Sequence, residues 1–184
     1  MKGTAMDARP ATSPSTTDTP RTGEGTDAAF ESRTPVLDAA RLGSLRGAPV
    51  VVKYGGSVLE DASLACAFAR DVARLGALGL EVVVVHGGGP ALTRTLERLG
   101  IASSFHAGHR VTSPEAAVVA EMVLSGSINK QVVARLVQAG VRAIGLSGTD
   151  AGLLAIRPLR PGGQDIGHVG EVERVATEPL EKLV

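Results

Sequence analysis

The sequence predicts an α/β fold: a three-layer αβα sandwich around a mainly parallel open sheet. Short valine-rich runs alternate along the chain with longer segments whose apolar residues recur at helical spacing. Two such runs, Pro49 to Lys53 and Glu81 to Val85, are continuous apolar stretches of the kind that form strands covered on both faces. Strands separated by helices favour parallel pairing, because a parallel connection needs a crossover.

Two amphipathic helices are predicted around the second strand. The first, from about 61 to 75, lies between the two strands and has an apolar face opposite a charged one. The second begins at Pro90, which suits a first helical turn because it has no N–H to leave unbonded. Its apolar face would hold Leu92, Leu96 and Leu99.

The later elements follow from turn and capping signals. Ser103 to Thr112 reads as a β-hairpin, and Ser113 is a suitable N-cap for the helix after it. Gly126 is expected to interrupt that helix, with another one ending at Gly140. The remaining predicted elements are a third buried strand at Val141 to Leu146, shorter strands at Leu153 to Ile156 and His168 to Val175, and a short helix from Pro179.

The amino-terminal part of the chain differs in composition. Residues 1–35 hold eight Thr and nine charges but few apolar side chains, so burial cannot offset the entropy cost of ordering them. We expect a disordered leader there, a helix with an apolar stripe over 36–47, and one folded unit over 48–184.

Composition excludes several classes of function. The formal net charge is zero and there are only four aromatic residues, which argues against nucleic-acid binding. No apolar run approaches the length of a membrane span. A single cysteine, Cys66, excludes an internal disulfide and a cysteine-based zinc site, and we expect no metal site. These features predict a cytoplasmic protein.

Two glycine clusters follow the first two predicted strands. Gly55 and Gly56 come after the first, and Gly87, Gly88 and Gly89 after the second. In an open parallel sheet ligands bind beyond the carboxyl ends of the strands, and glycine turns there let backbone N–H groups converge on an anion. One pair alone is most simply a tight turn, but two clusters at equivalent positions favour an anion site.

Lys53 closes the first apolar strand beside these turns. A lysine is costly in a core, so its ammonium either reaches solvent or projects into a polar site. Next to two glycine turns, it could neutralise charge on a transferring phosphoryl group. We favour the interpretation in which the Lys53 ammonium projects into the polar site.

Common motifs do not account for these loops. The chain has no Gly-Lys-Ser/Thr string of a P-loop. The run from His86 to Gly89 resembles an esterase oxyanion loop, but no serine stands in the Gly-x-Ser-x-Gly context that such enzymes need. Hydrolase chemistry therefore lacks a nucleophile.

Read together, the loops resemble those of N-acetylglutamate kinases in the amino-acid kinase family. The matching strings occur in family order: Lys53-Tyr54-Gly55-Gly56-Ser57, His86-Gly87-Gly88-Gly89-Pro90, Gly108-His109-Arg110-Val111-Thr112, Ile128-Asn129-Lys130 and Ser147-Gly148-Thr149-Asp150. The first string is shared with other family members, whereas the second followed by the third is much more specific. The resemblance runs from about Pro35 to the end of the chain.

The resemblance implies phosphorylation of the side-chain carboxylate of N-acetyl-L-glutamate, with ATP and Mg²⁺, in arginine biosynthesis. Lys53 would be catalytic and stabilise the transferring phosphoryl group. Gly88, Gly89 and Arg110 would bind substrate, the arginine holding its α-carboxylate through a bidentate fork. Gly55, Gly56 and Gly87 would form the phosphate loop.

The family's carboxy-terminal lobe, which binds ATP, has no counterpart in this sequence. We therefore expect a truncated chain, the acylamino-acid-binding lobe alone, without kinase activity of its own. Two alternatives remain open: a non-catalytic binding or assembly module, or a lobe acting on a related substrate such as N-acetyl-aminoadipate. Ser113 and Thr149, where family members often have Asp and Lys, bear on that substrate choice.

Family resemblance also bears on assembly. Arginine-inhibited members carry a helix before the first strand that links dimers into hexamers, and residues 36–47 resemble it. We expect a homo-oligomer, a dimer or a hexamer through this helix, without arginine feedback.

Overall fold

A computed structural model describes residues 43–55 and 59–183. The predicted leader, residues 36–42 of the predicted 36–47 helix and Gly56 lie outside these residues, and 44–47 form a turn. Those three expectations therefore stay predictions.

A parallel pair of strands organises the first half of the fold. Strand β1 is Pro49–Tyr54, strand β2 is Glu81–His86, and they pair in register from Pro49 opposite Glu81 to Tyr54 opposite His86. Helix α1, Ala62–Ala77, makes the crossover between them. It begins where the Asp61 carboxylate accepts from the N–H groups of Ser63 and Leu64, at 2.8 and 3.0 Å.

The main core lies on one face of this pair. Its buried members are Tyr54, Ala65, Ala69, Val72, Ile128, Val132 and Leu136, with Val82 and Val84 packed against them. On the opposite face Val51 is 66% and Val85 52% exposed. Burial on both faces, which the valine runs suggested, is therefore not found among the described residues, because the helices of this core pack against one side of the two strands.

A second core lies between two later helices. Helix α2 is Gly89–Arg98 and helix α3 is Pro114–Glu121; a hairpin of β3, Ser104–His106, and β4, His109–Val111, connects them. Ser113 caps α3 as predicted, its hydroxyl accepting from the Ala116 N–H at 3.1 Å. The buried side chains here are Leu92, Leu96, Ala116 and Val119.

Gly126 does not interrupt the helical path. A π-helical turn, Met122–Ile128, runs from α3 directly into helix α4, Asn129–Gln138. The N–H of Asn129 reaches the carbonyl of Leu124, five residues earlier. The wider turn keeps the chain helical through the glycine, so this predicted break was wrong.

Val141 to Leu146 does not form the predicted third strand. Val141 and Ala143 pack against the main core, but no described strand pairs with this segment. Side chains of α4 bond its carbonyls instead: Lys130 donates to Gly145 and Asn129 to Leu146. The predicted burial is wrong as well, since Ile144 is 69% exposed and Val141 and Ala143 are only partly buried. A strand also requires a neighbour with free backbone groups.

A second hairpin completes the described chain. Strand β5, Leu154–Pro158, pairs antiparallel with β6, Gly170–Val175, close to the predicted bounds. Short 3₁₀ turns cover Asp150–Gly152 and Pro161–Gly163, and helix α5 is Glu178–Glu181. This hairpin is tied to the first by Thr112, whose N–H donates to Ile166 and whose carbonyl accepts from His168.

The α/β class with a parallel strand pair is confirmed. Each predicted helix from α1 onward is present, the predicted hairpin is antiparallel, and the two predicted shorter strands pair with each other as a second hairpin. Within the residues described, no helix has the length and apolar character needed to span a membrane.

Leu96 in α2 and Leu99, just after its end, give a matched test of this core. Leu96 is completely buried, whereas Leu99, predicted on the same face, is 59% exposed because the helix ends there. We expect Leu96→Ala to lower the free energy of unfolding by about 2–5 kcal/mol, from lost burial and the cavity left behind. Leu99→Ala should change it by less than about 0.5 kcal/mol. Urea denaturation measures both, and equal losses would contradict the assigned core.

Candidate functional site

The carboxyl ends of β1 and β2 lie side by side. Lys53 is opposite Val85 in the register, and the Gly87 N–H donates to the Tyr54 carbonyl at 3.4 Å, which extends the pairing into the glycine turn. The structure therefore brings Lys53 and Gly55 next to Gly87, as the sequence predicted.

Gly88 is the tightly packed member of the glycine turn. It is buried at the N-cap of α2, and a Cβ there would meet Ile128 and lie 2.6 Å from Leu124 Cδ2. A Cβ on Gly87 or Gly89 would meet nothing within 4 Å. Gly88 is therefore required for packing, while its neighbours have open space beside them.

The N–H groups of this turn divide into two sets. That of Gly87 is engaged by β1, whereas no described backbone carbonyl accepts from Gly88 or Gly89. Both stand at the N-terminus of α2, where the helix dipole favours negative charge. The turn therefore offers two donors to an anion.

Lys53 lies on the face of β1 opposite the core. Its neighbour Tyr54 is 2% exposed and stacks on Phe68, with ring centroids 4.0 Å apart and the planes 6° from parallel. Burial raises the pKa of Tyr54, opposed by the nearby charge of Arg135. Strand alternation then places Lys53 at the surface, where none of the ion pairs among the described residues includes it.

Arg110 is held by the start of α2. From β4 its guanidinium donates to Ser103 Oγ and, at 2.7 Å, to Thr93 Oγ1, and it lies 4.7 Å over the Phe105 ring. Thr93 in turn donates to the Gly89 carbonyl at 3.0 Å. Two hydrogen bonds therefore connect the predicted substrate arginine to the glycine turn.

His86, Asn129 and Lys130 form a polar cluster behind the glycine turn. The sequence predicted no role for it. Asn129 bonds His86 and the Leu146 carbonyl, and Lys130 bonds the Gly145 carbonyl. Both residues belong to the Ile128-Asn129-Lys130 string, whose place among the matching loops was the available signal. Spacing alone could not show the contact, since 43 residues separate His86 from Asn129.

Asp150 orders the loop that follows. Its carboxylate accepts from Ser147 N–H at 2.6 Å and Ser147 Oγ at 2.9 Å. These hydrogen bonds hold the pKa of Asp150 below the usual range of an aspartate.

Two open cavities adjoin these residues. One of about 360 Å³ lies beside Gly88, Arg94 and Gln131, and one of about 350 Å³ beside Arg110, His109 and His168. In the described part of the chain, no group of three or more His, Cys, Asp or Glu side chains could hold a metal ion.

The sequence profile described as the amino acid kinase family matches residues 48–184, about three quarters of the chain. The chain belongs to the amino acid kinase family. Similar curated proteins are acetylglutamate kinases: that of Stutzerimonas stutzeri is 47% identical over 148 residues, covering 75% of this chain and 49% of the relative. That of Campylobacter curvus is 52% identical over 134 residues, covering 73% and 47%.

Solved structures agree on the fold. A Streptococcus mutans protein, smu.665, superposes with a TM-score of 0.66 at 27% identity, covering 73% of this chain and 54% of its own. An N-acetylglutamate synthase from Neisseria gonorrhoeae, solved with coenzyme A and N-acetyl-glutamate, superposes with a TM-score of 0.65 at 24% identity. The match covers 86% of this chain and 35% of the synthase. The chain spans about half the length of the curated relatives it matches.

Gly88 and Gly89 provide a test of the turn. We expect Gly88→Ala to destabilise the fold by about 1–3 kcal/mol, because the new methyl group must displace Leu124 and Ile128. Gly89→Ala, with open space around its Cβ, should stay within about 0.5 kcal/mol of the parent. Thermal unfolding followed by circular dichroism measures both; a larger loss for Gly89→Ala would contradict the packing described.

The loop at Asp150 should respond to acid in a defined direction. Because the folded-state pKa is lowered, its stabilising bonds are complete above the usual aspartate range and are lost as the pH falls through the lowered value. The Ser147 amide shift in an NMR titration should therefore show a midpoint below that range. Ser147→Ala removes the hydroxyl donor and should move the Asp150 midpoint upward. An unchanged midpoint would show that the Ser147 hydroxyl does not lower the pKa of Asp150.

Proposed function

We propose that this chain is the substrate-binding part of an ATP-dependent kinase that phosphorylates the side-chain carboxylate of N-acetyl-L-glutamate. The observation that carries the proposal is the path from Arg110 through Thr93 to Gly89, which joins a guanidinium to free N–H groups beside a strand-end lysine. The similarity to acetylglutamate kinases supports the choice of substrate.

Each residue has a separate task in this proposal. Arg110 pairs with the substrate α-carboxylate, and the N–H groups of Gly88 and Gly89 bind oxygens of the reacting carboxylate and the phosphoryl group. Gly87 holds the turn against β1, while Gly55 and Gly56 complete the phosphate loop. Lys53 offsets the charge that develops on the phosphoryl oxygens.

The reaction itself needs little from these groups beyond position and charge. A carboxylate oxygen attacks the γ-phosphorus of ATP, the bond to the bridging oxygen breaks, and ADP leaves as an acyl phosphate forms. The nucleophile is already ionised, so no general base is required. We assign Mg²⁺ to the ATP, because the described residues offer it no cluster of ligands.

The same proposal includes location and assembly. We place the protein in the cytoplasm, in arginine biosynthesis, and as a homo-oligomer, a dimer or a hexamer through the 36–47 helix. Light scattering of the chain with and without residues 1–46 tests the assembly. Identical molar masses would contradict a role of the 36–47 helix in it.

Calorimetric titration of the 184-residue chain with N-acetyl-L-glutamate tests substrate binding. Arg110→Ala should raise the dissociation constant about thirtyfold or more, because truncating one partner of a charged pair costs about 2–5 kcal/mol. Arg74→Ala, which removes an exposed arginine of α1, is the matched control and should bind like the parent. Equal affinity of the Arg110 variant would refute the assignment.

Lys53→Met separates binding from chemistry in the same assay. Since the lysine charge acts on the phosphoryl group, the affinity for N-acetyl-L-glutamate alone should change by less than about threefold. A loss as large as that of Arg110→Ala would instead make Lys53 a substrate-binding residue.

Hydroxylamine trapping tests the division of labour. With ATP, Mg²⁺ and N-acetyl-L-glutamate, the 184-residue chain should yield no hydroxamate, because the family resemblance assigns ATP binding to a carboxy-terminal lobe and this chain covers 49% of its relative. Robust hydroxamate formation would show that residues 1–184 suffice for catalysis.

A further inference from the structure

The side chain of Asn129 joins three parts of the fold behind the glycine turn. It stands at the start of α4 and is only 6% exposed. Its Nδ2 lies 3.3 Å from His86 Nε2 and 3.2 Å from the Leu146 carbonyl, and its Oδ1 lies 3.1 Å from Lys130 Nζ. The buried amide therefore has a partner for every donor and an acceptor bond as well.

The partners fix which way the amide points. An ammonium group can only donate, and a peptide carbonyl can only accept. Lys130 therefore takes the oxygen of the amide, and Leu146 takes the nitrogen. This leaves the second Nδ2 hydrogen directed at His86.

The amide in turn fixes the proton on His86. Because Nε2 accepts from Asn129, the ring proton is on Nδ1, which lies 3.0 Å from the Gly87 carbonyl and donates to it. A chain of hydrogen bonds thus runs in one direction from Lys130 through Asn129 and His86 to Gly87.

The last bond of this chain orients the donor of the proposed site. In a trans peptide the C=O of Gly87 and the N–H of Gly88 lie in one plane and point in opposite directions. With the carbonyl turned toward His86, the Gly88 N–H is turned away from it. We infer that Asn129 is a positioning residue, acting through His86 to aim the Gly88 N–H at the bound anion; the identity of that anion rests on the proposed function.

Gly145 makes room for this arrangement. A Cβ at that position would lie 2.9 Å from Asn129 Cγ and 2.8 Å from Val133 Cγ2. The missing side chain lets the segment before Ser147 approach α4 closely enough for Lys130 and Asn129 to bond its carbonyls. The departure from strand structure at Val141 to Leu146 and the positioning of His86 thus depend on the same contact.

The experiment uses ¹⁵N NMR and calorimetry on the 184-residue chain. Asn129→Leu removes the donor to His86, and Lys130→Met, at an exposed position, removes the group that fixes the amide. Gln138→Ala is the control, since this exposed residue ends α4 more than two turns beyond Asn129. The readouts are the ring-nitrogen shifts of His86, the amide signal of Gly88 and the affinity for N-acetyl-L-glutamate.

The parent and Gln138→Ala should show the Nδ1–H form of His86. In Asn129→Leu and Lys130→Met we expect a mixture of the two ring forms, a displaced Gly88 amide signal and an affinity lower by about three- to tenfold. A merely structural role would not change the ring form. If Asn129→Leu fails to fold, Lys130→Met decides.

Retention of the pure Nδ1–H form in the folded variants would overturn the inference. So would a changed ring form with an unmoved Gly88 signal. If the parent does not bind N-acetyl-L-glutamate, the proposed substrate is wrong, while the ring shifts and the Gly88 amide still decide whether Asn129 positions the turn.

Discussion

The parallel register of β1 and β2 is the constraint on which the rest of the structure depends. Six residue pairs, ending with Tyr54 opposite His86, put both strand ends at one edge. The crossover through α1 makes this pairing possible, and the side chains beneath it form the main core. Because Tyr54 is fixed by burial and by its stack on Phe68, the chain on either side of it has little freedom. Gly55 and the turn that begins at Gly87 therefore take their positions from Tyr54.

The second half of the site is built on α2. This helix begins at the glycine turn and packs against α3 through Leu92 and Leu96. The hairpin between the two helices carries Arg110 back to the first turn of α2. Two cores therefore meet at the site: one sets the strand ends and the other sets the arginine.

Much of this could be predicted from sequence, since local signals are strong where the fold is regular. Valine runs and helical spacing located β1, β2, α1 and α2, and Ser113 located the start of α3. The failures have different causes: one depends on a distant partner, and the other on how the helix accommodates a glycine. Val141 to Leu146 reads as a strand, but whether it pairs depends on a partner that the described chain does not supply. Gly126 reads as a break, but a widened turn absorbs it.

The candidate site divides in the same way. Lys53, the glycine turns and Arg110 stand out because their residue types are unusual where they occur. Asn129 does not, because a polar residue in a helix is ordinary until its distant partner is known. Its contact with His86 is a property of the tertiary structure alone.

Thr93 shows how narrow the chemical tolerance of such a site can be. Its hydroxyl has one hydrogen, and that hydrogen is committed to the Gly89 carbonyl, so only the oxygen lone pairs are left to face Arg110. Serine would preserve this division of donor and acceptor, whereas valine, nearly identical in shape, would remove one of the two hydroxyl acceptors of Arg110. At this position the substitution that keeps the shape, Thr93→Val, would therefore be the damaging one. Thr93→Ser, which only removes a methyl group, would be tolerated.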